Sequence, residues 1–134
     1  MKIINKPKSV SFQNNVNILY WNIEGINTML NNYQFNQLFH NSDIILLNET
    51  MNCTELSFKD YYTYNQTAIK PPRGRQIGGL VACIKPNLTP ELITKNQRCL
   101  YISTSIVKII FCYFNPETDV EDILFDQSAN FVCE

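Results

Sequence analysis

The sequence lacks the features that mark several common classes of protein. Its 134 residues include a single histidine, His40, and the formal net charge is −1. This balance gives no overall attraction to nucleic acid, so any contact with a polyanion must be local. No apolar run reaches membrane-spanning length, and no apolar segment follows the basic N-terminus, which argues against a secretory signal. We therefore expect an intracellular protein, nuclear or cytoplasmic, that has no membrane partner.

The cysteines form no pattern typical of a zinc site or a disulfide framework. They are five in number, widely spaced and without a C-x-x-C pair, so we interpret them as core residues in a reducing compartment. The G-x-x-x-x-G-K-S/T, G-x-S-x-G, H-E-x-x-H and G-x-G-x-x-G motifs are also missing. Nucleotide hydrolases, serine hydrolases and zinc proteases are therefore disfavoured.

The most informative features of the sequence are two apolar runs that each stop at polar side chains. They extend from Val16 to Asn22 and from Asp43 to Asn48. Runs of this kind are typical of strands buried on both faces. Apolar residues at helical spacing predict a helix from Thr28 to about His40 between them. The expected unit is a strand, a helix and a second strand.

Polar side chains with oxygen atoms follow both runs. Asn22 and Glu24 come at the end of the first, and Glu49 directly follows the second. If both strands end at one edge of a sheet, an amide and two carboxylates meet there, and Mg²⁺ prefers such oxygen ligands. The alternatives are plain: Glu49 marks where a strand reaches water, and Asn22 forms a turn before Gly25.

The rest of the chain predicts a mixed α/β sandwich with sheets in the core. Residues 1–15 read as a polar lead-in or a short edge strand. An antiparallel hairpin is expected near Ser105. Further predicted strands cover Tyr61–Gln66, Leu80–Ile84, Cys99–Thr104 and Val107–Phe114, and a second helix covers Glu117–Gln127.

Three further positions are candidates for contact with phosphate. Arg73 and Arg75 lie in a Pro- and Gly-rich loop, where they either contact a phosphate backbone or are simply solvated. Tyr113 either presents its hydroxyl to a phosphate or belongs to the core. His40 more naturally caps its helix than acts as a base.

Four segments, in this order along the chain, resemble the endonuclease/exonuclease/phosphatase superfamily. They are Leu19–Gly25 (LYWNIEG), Asp43–Thr50 (DIILLNET), Gly74–Ala82 (GRQIGGLVA) and Cys112–Pro116 (CYFNP). Within the superfamily, the sequence is most similar to the apurinic-like endonuclease domain of non-LTR (LINE-type) retrotransposons. The resemblance implies a four-layer, DNase I-like α/β sandwich, of which residues 16–134 would form the N-terminal half.

The resemblance also implies roles for individual residues. Asn22 would arrange metal and phosphate, and Glu49 would bind Mg²⁺ or Mn²⁺. Glu24 stands where members of the family carry various residues, sometimes an acidic metal ligand. Tyr113 would contact phosphate, and DNA would be the substrate. Asn48 stands where the family usually has glutamine.

The family's G-D-x-N and S-D-H motifs do not occur in this sequence. We therefore expect an incomplete endonuclease domain that is inactive by itself. Two alternatives stay open: a non-catalytic remnant or binding module, and a phosphodiesterase or phosphatase that acts on a smaller phosphate ester. The sequence gives no indication of the oligomeric state.

Overall fold

The computed structural model describes residues 7–12, 15–74, 76–96, 98–112 and 130–132. This part of the chain is a mixed α/β structure with two sheets and one α-helix, and most of its regular structure is strand. The strands are β1 (Lys8–Phe12), β2 (Val16–Asn22), β3 (Ile44–Asn48), β4 (Tyr62–Gln66), β5 (Leu80–Ile84), β6 (Glu91–Lys95), β7 (Cys99–Ser103), β8 (Lys108–Cys112) and β9 (Asn130–Val132), and the helix is α1 (Tyr33–His40).

The first sheet has the strand order β1-β2-β3-β5-β4. Strands β2 and β3 are parallel, with Asn22 opposite Asn48, whereas the other neighbours in this sheet are antiparallel. Helix α1 connects the parallel pair, as parallel neighbours require a crossover. The predicted strand, helix, strand unit is therefore confirmed.

The second sheet has the order β6-β7-β8-β9. Strands β7 and β8 form an antiparallel hairpin in which the Thr104 amide donates to the Val107 carbonyl at 2.8 Å. The predicted turn near Ser105 is confirmed. The pairing of β9 with β8 is parallel and was not predicted from the sequence.

The two faces of the first sheet pack on different layers. Because successive strand residues point to opposite faces, Ile44 and Leu46 pack against the second sheet, whereas Ile45 and Leu47 pack against Phe35 of α1. Every residue of β3 and β5 is buried. This double burial explains why both strands are continuous apolar runs in the sequence.

Helix α1 begins at Tyr33, so the predicted start at Thr28 is wrong. The Asn32 side chain accepts from the Phe35 amide at 2.9 Å and caps the helix. Residues 26–31 form turns instead, because the Ile26 amide is bonded to the Thr50 carbonyl at 2.9 Å and this bond fixes the chain beside the end of β3. Thr28 and Asn32 are both suitable N-cap residues, and a tertiary contact decides which of them begins the helix.

Other differences from the sequence prediction lie at the sheet edges. Strand β6 was missed because its residues are mostly exposed and lack apolar alternation, and β1 corresponds to the edge-strand alternative for the lead-in. The predicted helix at 117–127 lies outside the described residues, so the four-layer arrangement stays a prediction. In the described part of the chain, no helix has the length and apolar character needed to cross a membrane.

Candidate functional site

The segments that follow β2 and β3 are hydrogen-bonded to each other at one edge of the first sheet. The Ile23 amide donates to the Asn48 carbonyl at 3.0 Å, and the Gly25 amide donates to the Glu49 carbonyl at 2.8 Å. The parallel pairing therefore continues beyond the strands. As the sequence predicts, the backbone at Asn22 and Glu24 lies beside the backbone at Glu49.

The start of β5 contacts the same edge from the other side. The Thr50 amide donates to the Gly79 carbonyl at 3.1 Å, and the Met51 amide donates to the Gly78 carbonyl at 2.9 Å. The turn that carries Glu49 is thus held between two segments. We call residues 22–26, 48–51 and 78–79 together the strand-end rim.

The strand-end rim contains an unusual concentration of left-handed backbone. Non-glycine residues with positive φ are Glu24 (49°), Glu49 (55°) and Met51 (54°), which are half of the six such residues in the described part of the chain. Each such conformation costs a non-glycine residue about 1–2 kcal/mol. Backbone strain of this kind is concentrated at functional sites, where surrounding contacts enforce it.

Asn22 carries a buried polar atom without a donor. No hydrogen-bond donor among the described residues reaches its Oδ1, which is inaccessible to solvent. Such groups are rare in folded proteins and call for a water, an ion or a ligand. Asn48, directly opposite, differs: its Oδ1 accepts from the Glu49 amide at 2.8 Å, and its Nδ2 donates to the Tyr20 hydroxyl at 3.3 Å. Asn48 therefore stabilises the turn.

The residues present at the strand-end rim fit a hard cation that retains most of its water. No group of three or more His, Cys, Asp or Glu side chains that would enclose a metal ion occurs in the described ranges. Mg²⁺ does not need such a cage, because one or two carboxylates and several waters suffice. The Glu49 carboxylate and the orphaned Asn22 Oδ1 are oxygen ligands of the right kind, and Glu24 lies on the neighbouring segment.

A basic loop starts from the same edge of the sheet. Ile69 and Ile77 pair across its base through backbone bonds of 2.9 and 2.8 Å, immediately before Gly78 of the strand-end rim. Arg73 is exposed on this loop, and the Lys70 ammonium donates to the Gly74 carbonyl at 2.9 Å. Both isoleucines are more than half exposed. The loop thus presents positive charge and apolar surface together.

Of three further residues considered from the sequence, one is placed away from this edge and two lie outside the part of the chain that the structure describes. His40 ends α1 and precedes β3, so it lies at the opposite end of that strand from Glu49. Tyr113 and Arg75 lie outside the described residues. The described groups with raised pKa are also elsewhere: burial raises the pKa of the Cys83 thiol within β5, of Tyr61 beside α1 and of Tyr64 in β4.

Sequence reasoning missed the part played by Thr50 and Gly79. Thr50 is buried, and a Cβ on Gly79 would overlap its Oγ1. The available signal was the Gly78-Gly79 pair directly before an apolar strand, since glycine in such a place permits a close backbone approach.

Comparison with protein-family models, curated proteins and solved structures gave no match for this chain. The resemblance to endonucleases therefore rests on the residues quoted from the sequence.

Proposed function

We propose that the strand-end rim is the metal- and phosphate-binding part of a Mg²⁺-dependent phosphodiesterase of the endonuclease/exonuclease/phosphatase type, in a four-layer α/β sandwich. The observation that carries the proposal is the buried Oδ1 of Asn22, which no donor in the described part of the chain reaches, on the strand paired with the one that leads to Glu49. A buried carbonyl oxygen without a donor calls for a water, an ion or a ligand, and a cation or a water held on one meets that need.

The residues of the strand-end rim have separate roles in this proposal. The Glu49 carboxylate would supply the charge that holds the ion, and the Asn22 Oδ1 would accept from one of its waters or bind it directly. Glu24 supplies a second carboxylate from the adjacent segment. When bound, Mg²⁺ neutralises charge that develops on a phosphodiester during cleavage. Mn²⁺ has similar ligand preferences and would occupy the same place.

The backbone of Glu49 supports a functional role over a merely solvated one. A strand that simply reaches water has no need of a left-handed glutamate, whose φ is 55°, because glycine or asparagine forms such turns at lower cost. The hydrogen bond from its own amide to Asn48 Oδ1 holds it in this conformation. We infer that the strained backbone sets the orientation of Glu49, the residue that carries the carboxylate.

The basic loop favours nucleic acid over a smaller phosphate ester as the substrate. Arg73 is exposed in a loop whose base adjoins the strand-end rim, and in this proposal it would contact phosphates that flank the one at the metal. The exposed Ile69 and Ile77 suit contact with sugars or base edges in a groove. A small ester would occupy the metal position alone and leave this loop unused.

The position of the one histidine sets a limit on the activity. His40 lies at the far end of β3, so no imidazole in this sequence is at the strand-end rim to take a proton from an attacking water. We therefore expect the chain to bind the metal and DNA but to show little cleavage by itself. The alternative, a non-catalytic binding module, requires no metal at Glu49.

A titration with Mg²⁺, followed by NMR of the backbone amides, tests the metal site. Addition of Mg²⁺ should shift the amide signals of the strand-end rim, and Mn²⁺ should broaden the same signals. Glu49→Gln removes the charge but keeps the shape, so it should weaken binding at least as much as the loss of an outer-shell partner, about tenfold or more.

The matched control is Glu91→Gln, which removes an exposed carboxylate from β6 in the second sheet and should leave the affinity unchanged. Glu49→Gly should also weaken binding, yet it should unfold at a higher denaturant concentration in the absence of metal, because glycine relieves the left-handed strain. An affinity that is unchanged in Glu49→Gln, or that is weakened equally in Glu91→Gln, would refute the proposed site. Absence of any shift favours the non-catalytic module.

A further inference from the structure

Cys99 and Cys112 face each other at the open end of the β7–β8 hairpin. The Sγ of Cys99 lies 2.6 Å from the Sγ of Cys112, only slightly farther than the ~2.05 Å of a covalent disulfide. Both residues are buried, and neither belongs to the strand-end rim. The chemistry of this pair is therefore independent of the proposed function.

The register of the hairpin explains why the two side chains are so close. Opposed residues in an antiparallel pair alternate between hydrogen-bonded and non-hydrogen-bonded positions. The bond from the Thr104 amide to the Val107 carbonyl makes that pair hydrogen-bonded. Counting outward from it through the observed register places Cys99 and Cys112 in a non-hydrogen-bonded pair, where side chains approach most closely and the Cα atoms are about 4.5 Å apart.

The backbone of Cys99 is fixed from the side away from β8. Its amide donates to Asn96 Oδ1 at 2.9 Å, and its carbonyl accepts from the Asn96 amide at 3.0 Å. These two bonds close the turn between β6 and β7 and hold Cys99 in place opposite Cys112. The expected Cα separation lies within the ~4.4–6.8 Å that disulfides span, so bridging needs little movement.

We propose that Cys99 and Cys112 form an intramolecular cross-strand disulfide by exchange with a low-molecular-weight disulfide such as oxidised glutathione. One cysteine thiolate attacks the small disulfide, forms a mixed disulfide and releases one small thiolate. The second cysteine thiolate then attacks the protein sulfur of that mixed disulfide and releases the other small thiolate. Two cysteine thiols lose two protons and two electrons, and one small disulfide is reduced to two thiols.

The location of the pair also provides access for the reagent. Cys99 begins β7 and Cys112 ends β8, at the end of the hairpin farthest from its turn, where local opening of strand ends exposes buried groups. Cys83 offers an internal contrast. It lies within β5, burial raises the pKa of its thiol, and the residues opposite it are Ile45 and Thr63, so no cysteine faces it across the sheet.

The test uses the full chain with Cys53→Ser and Cys133→Ser, which leaves Cys83, Cys99 and Cys112 as its three thiols. After incubation with oxidised glutathione, the accessible thiols of the unfolded protein should fall from three to one, and the intact mass should fall by two hydrogen atoms. Trypsin cleaves after Arg98 and Lys108, so a bridge would join two otherwise separate peptides. Closing this loop should raise Tm by about 5–10 °C, and dithiothreitol should reverse the change.

The control adds Cys112→Ser to the same background. This variant should form no bridge and show no oxidation-dependent rise in Tm. The proposal is overturned if three thiols persist, if a glutathione adduct accumulates in place of the bridge, or if the bridged peptide contains Cys83. In the Cys53→Ser, Cys133→Ser chain, the tryptic peptides 99–108 and 109–134 each contain one cysteine. Peptide mapping of that chain therefore identifies the bridge by itself, and the outcome does not depend on whether Cys112→Ser folds.

Discussion

Gly79 tests whether the strand-end rim depends on a close approach of backbones. Its φ is +96°, and a Cβ at this position would overlap Thr50 Oγ1 and lie 3.3 Å from the Met51 amide nitrogen. Gly74 has almost the same φ, +97°, but a Cβ there would meet nothing within 4 Å. Substitution by alanine should therefore carry the same conformational cost at both glycines, and the two positions differ only in the space around them.

The expected magnitudes follow from that difference. Left-handed alanine costs about 1–2 kcal/mol, which is partly offset because alanine lowers the entropy of the unfolded chain by ~0.4–1 kcal/mol. Gly74→Ala should thus lose about 1 kcal/mol. Gly79→Ala adds an overlap in a packed region, which costs ~1–3 kcal/mol, so we expect a total loss of about 2–4 kcal/mol.

Urea unfolding of the two variants and the parent measures both losses, provided that the m-value stays constant. Thr50→Ala removes Oγ1, so in the Gly79→Ala background it should recover part of the loss, and the double-mutant cycle should show a coupling of ~1–2 kcal/mol. Equal losses for Gly79→Ala and Gly74→Ala, or a cycle without coupling, would show that Gly79 and Thr50 are not in close contact and that the strand-end rim is open at this point.

Two further predictions concern the helix end and the basic loop. Tyr61 donates to the carbonyls of Phe39 at 3.1 Å and Ser42 at 3.0 Å, and burial, with smaller effects of nearby negative charge, raises its pKa to about 12 from 10.0. Because the folded state holds this proton more tightly, the contribution of Tyr61 to the free energy of unfolding should be fully present below pH ~10 and should fall as the pH rises towards ~12. Tyr61→Phe should remove this fall and lower the free energy of unfolding by about 1 kcal/mol at neutral pH. Urea unfolding across pH measures both effects. Arg73→Ala should weaken binding of a short DNA duplex and lower the slope of log affinity against log salt concentration by about 1, as measured by fluorescence anisotropy. The control is Lys108→Ala, an exposed change on β8, which should alter neither quantity if the loop is the contact.

The sequence predicted the parts of the fold that local pattern determines. The bounds of β2 and β5 were correct because both are apolar runs with abrupt polar ends. The start of α1 was missed because Thr28 and Asn32 are both suitable caps, and the bond between Ile26 and Thr50 that decides between them joins residues far apart in sequence. Strand β6 was missed because an exposed edge strand needs no apolar alternation.

At the candidate site, the sequence predicted where the residues lie but not the conformation of their backbone. Pattern alone placed Asn22 and Glu49 at one edge, because parallel strands end together. It gave no information on their backbone. The left-handed φ at Glu49 is enforced by the flanking segments, in which the Gly25 amide donates to the Glu49 carbonyl and the Gly79 carbonyl accepts from the Thr50 amide. Glutamate has no intrinsic preference for that conformation, so the residue type at this position does not predict it.

The two asparagines that end β2 and β3 illustrate what this difference means for function. Each ends an apolar run, each lies next to the other in the parallel register, and in sequence they are equivalent. In the structure, the Asn48 side chain is engaged by its neighbours, because it bonds the Glu49 amide and the Tyr20 hydroxyl. The Asn22 Oδ1 is buried without a donor among the described residues. An asparagine that only formed a turn would satisfy that oxygen locally, so the unequal state of the pair favours a ligand at Asn22 over the turn-forming alternative.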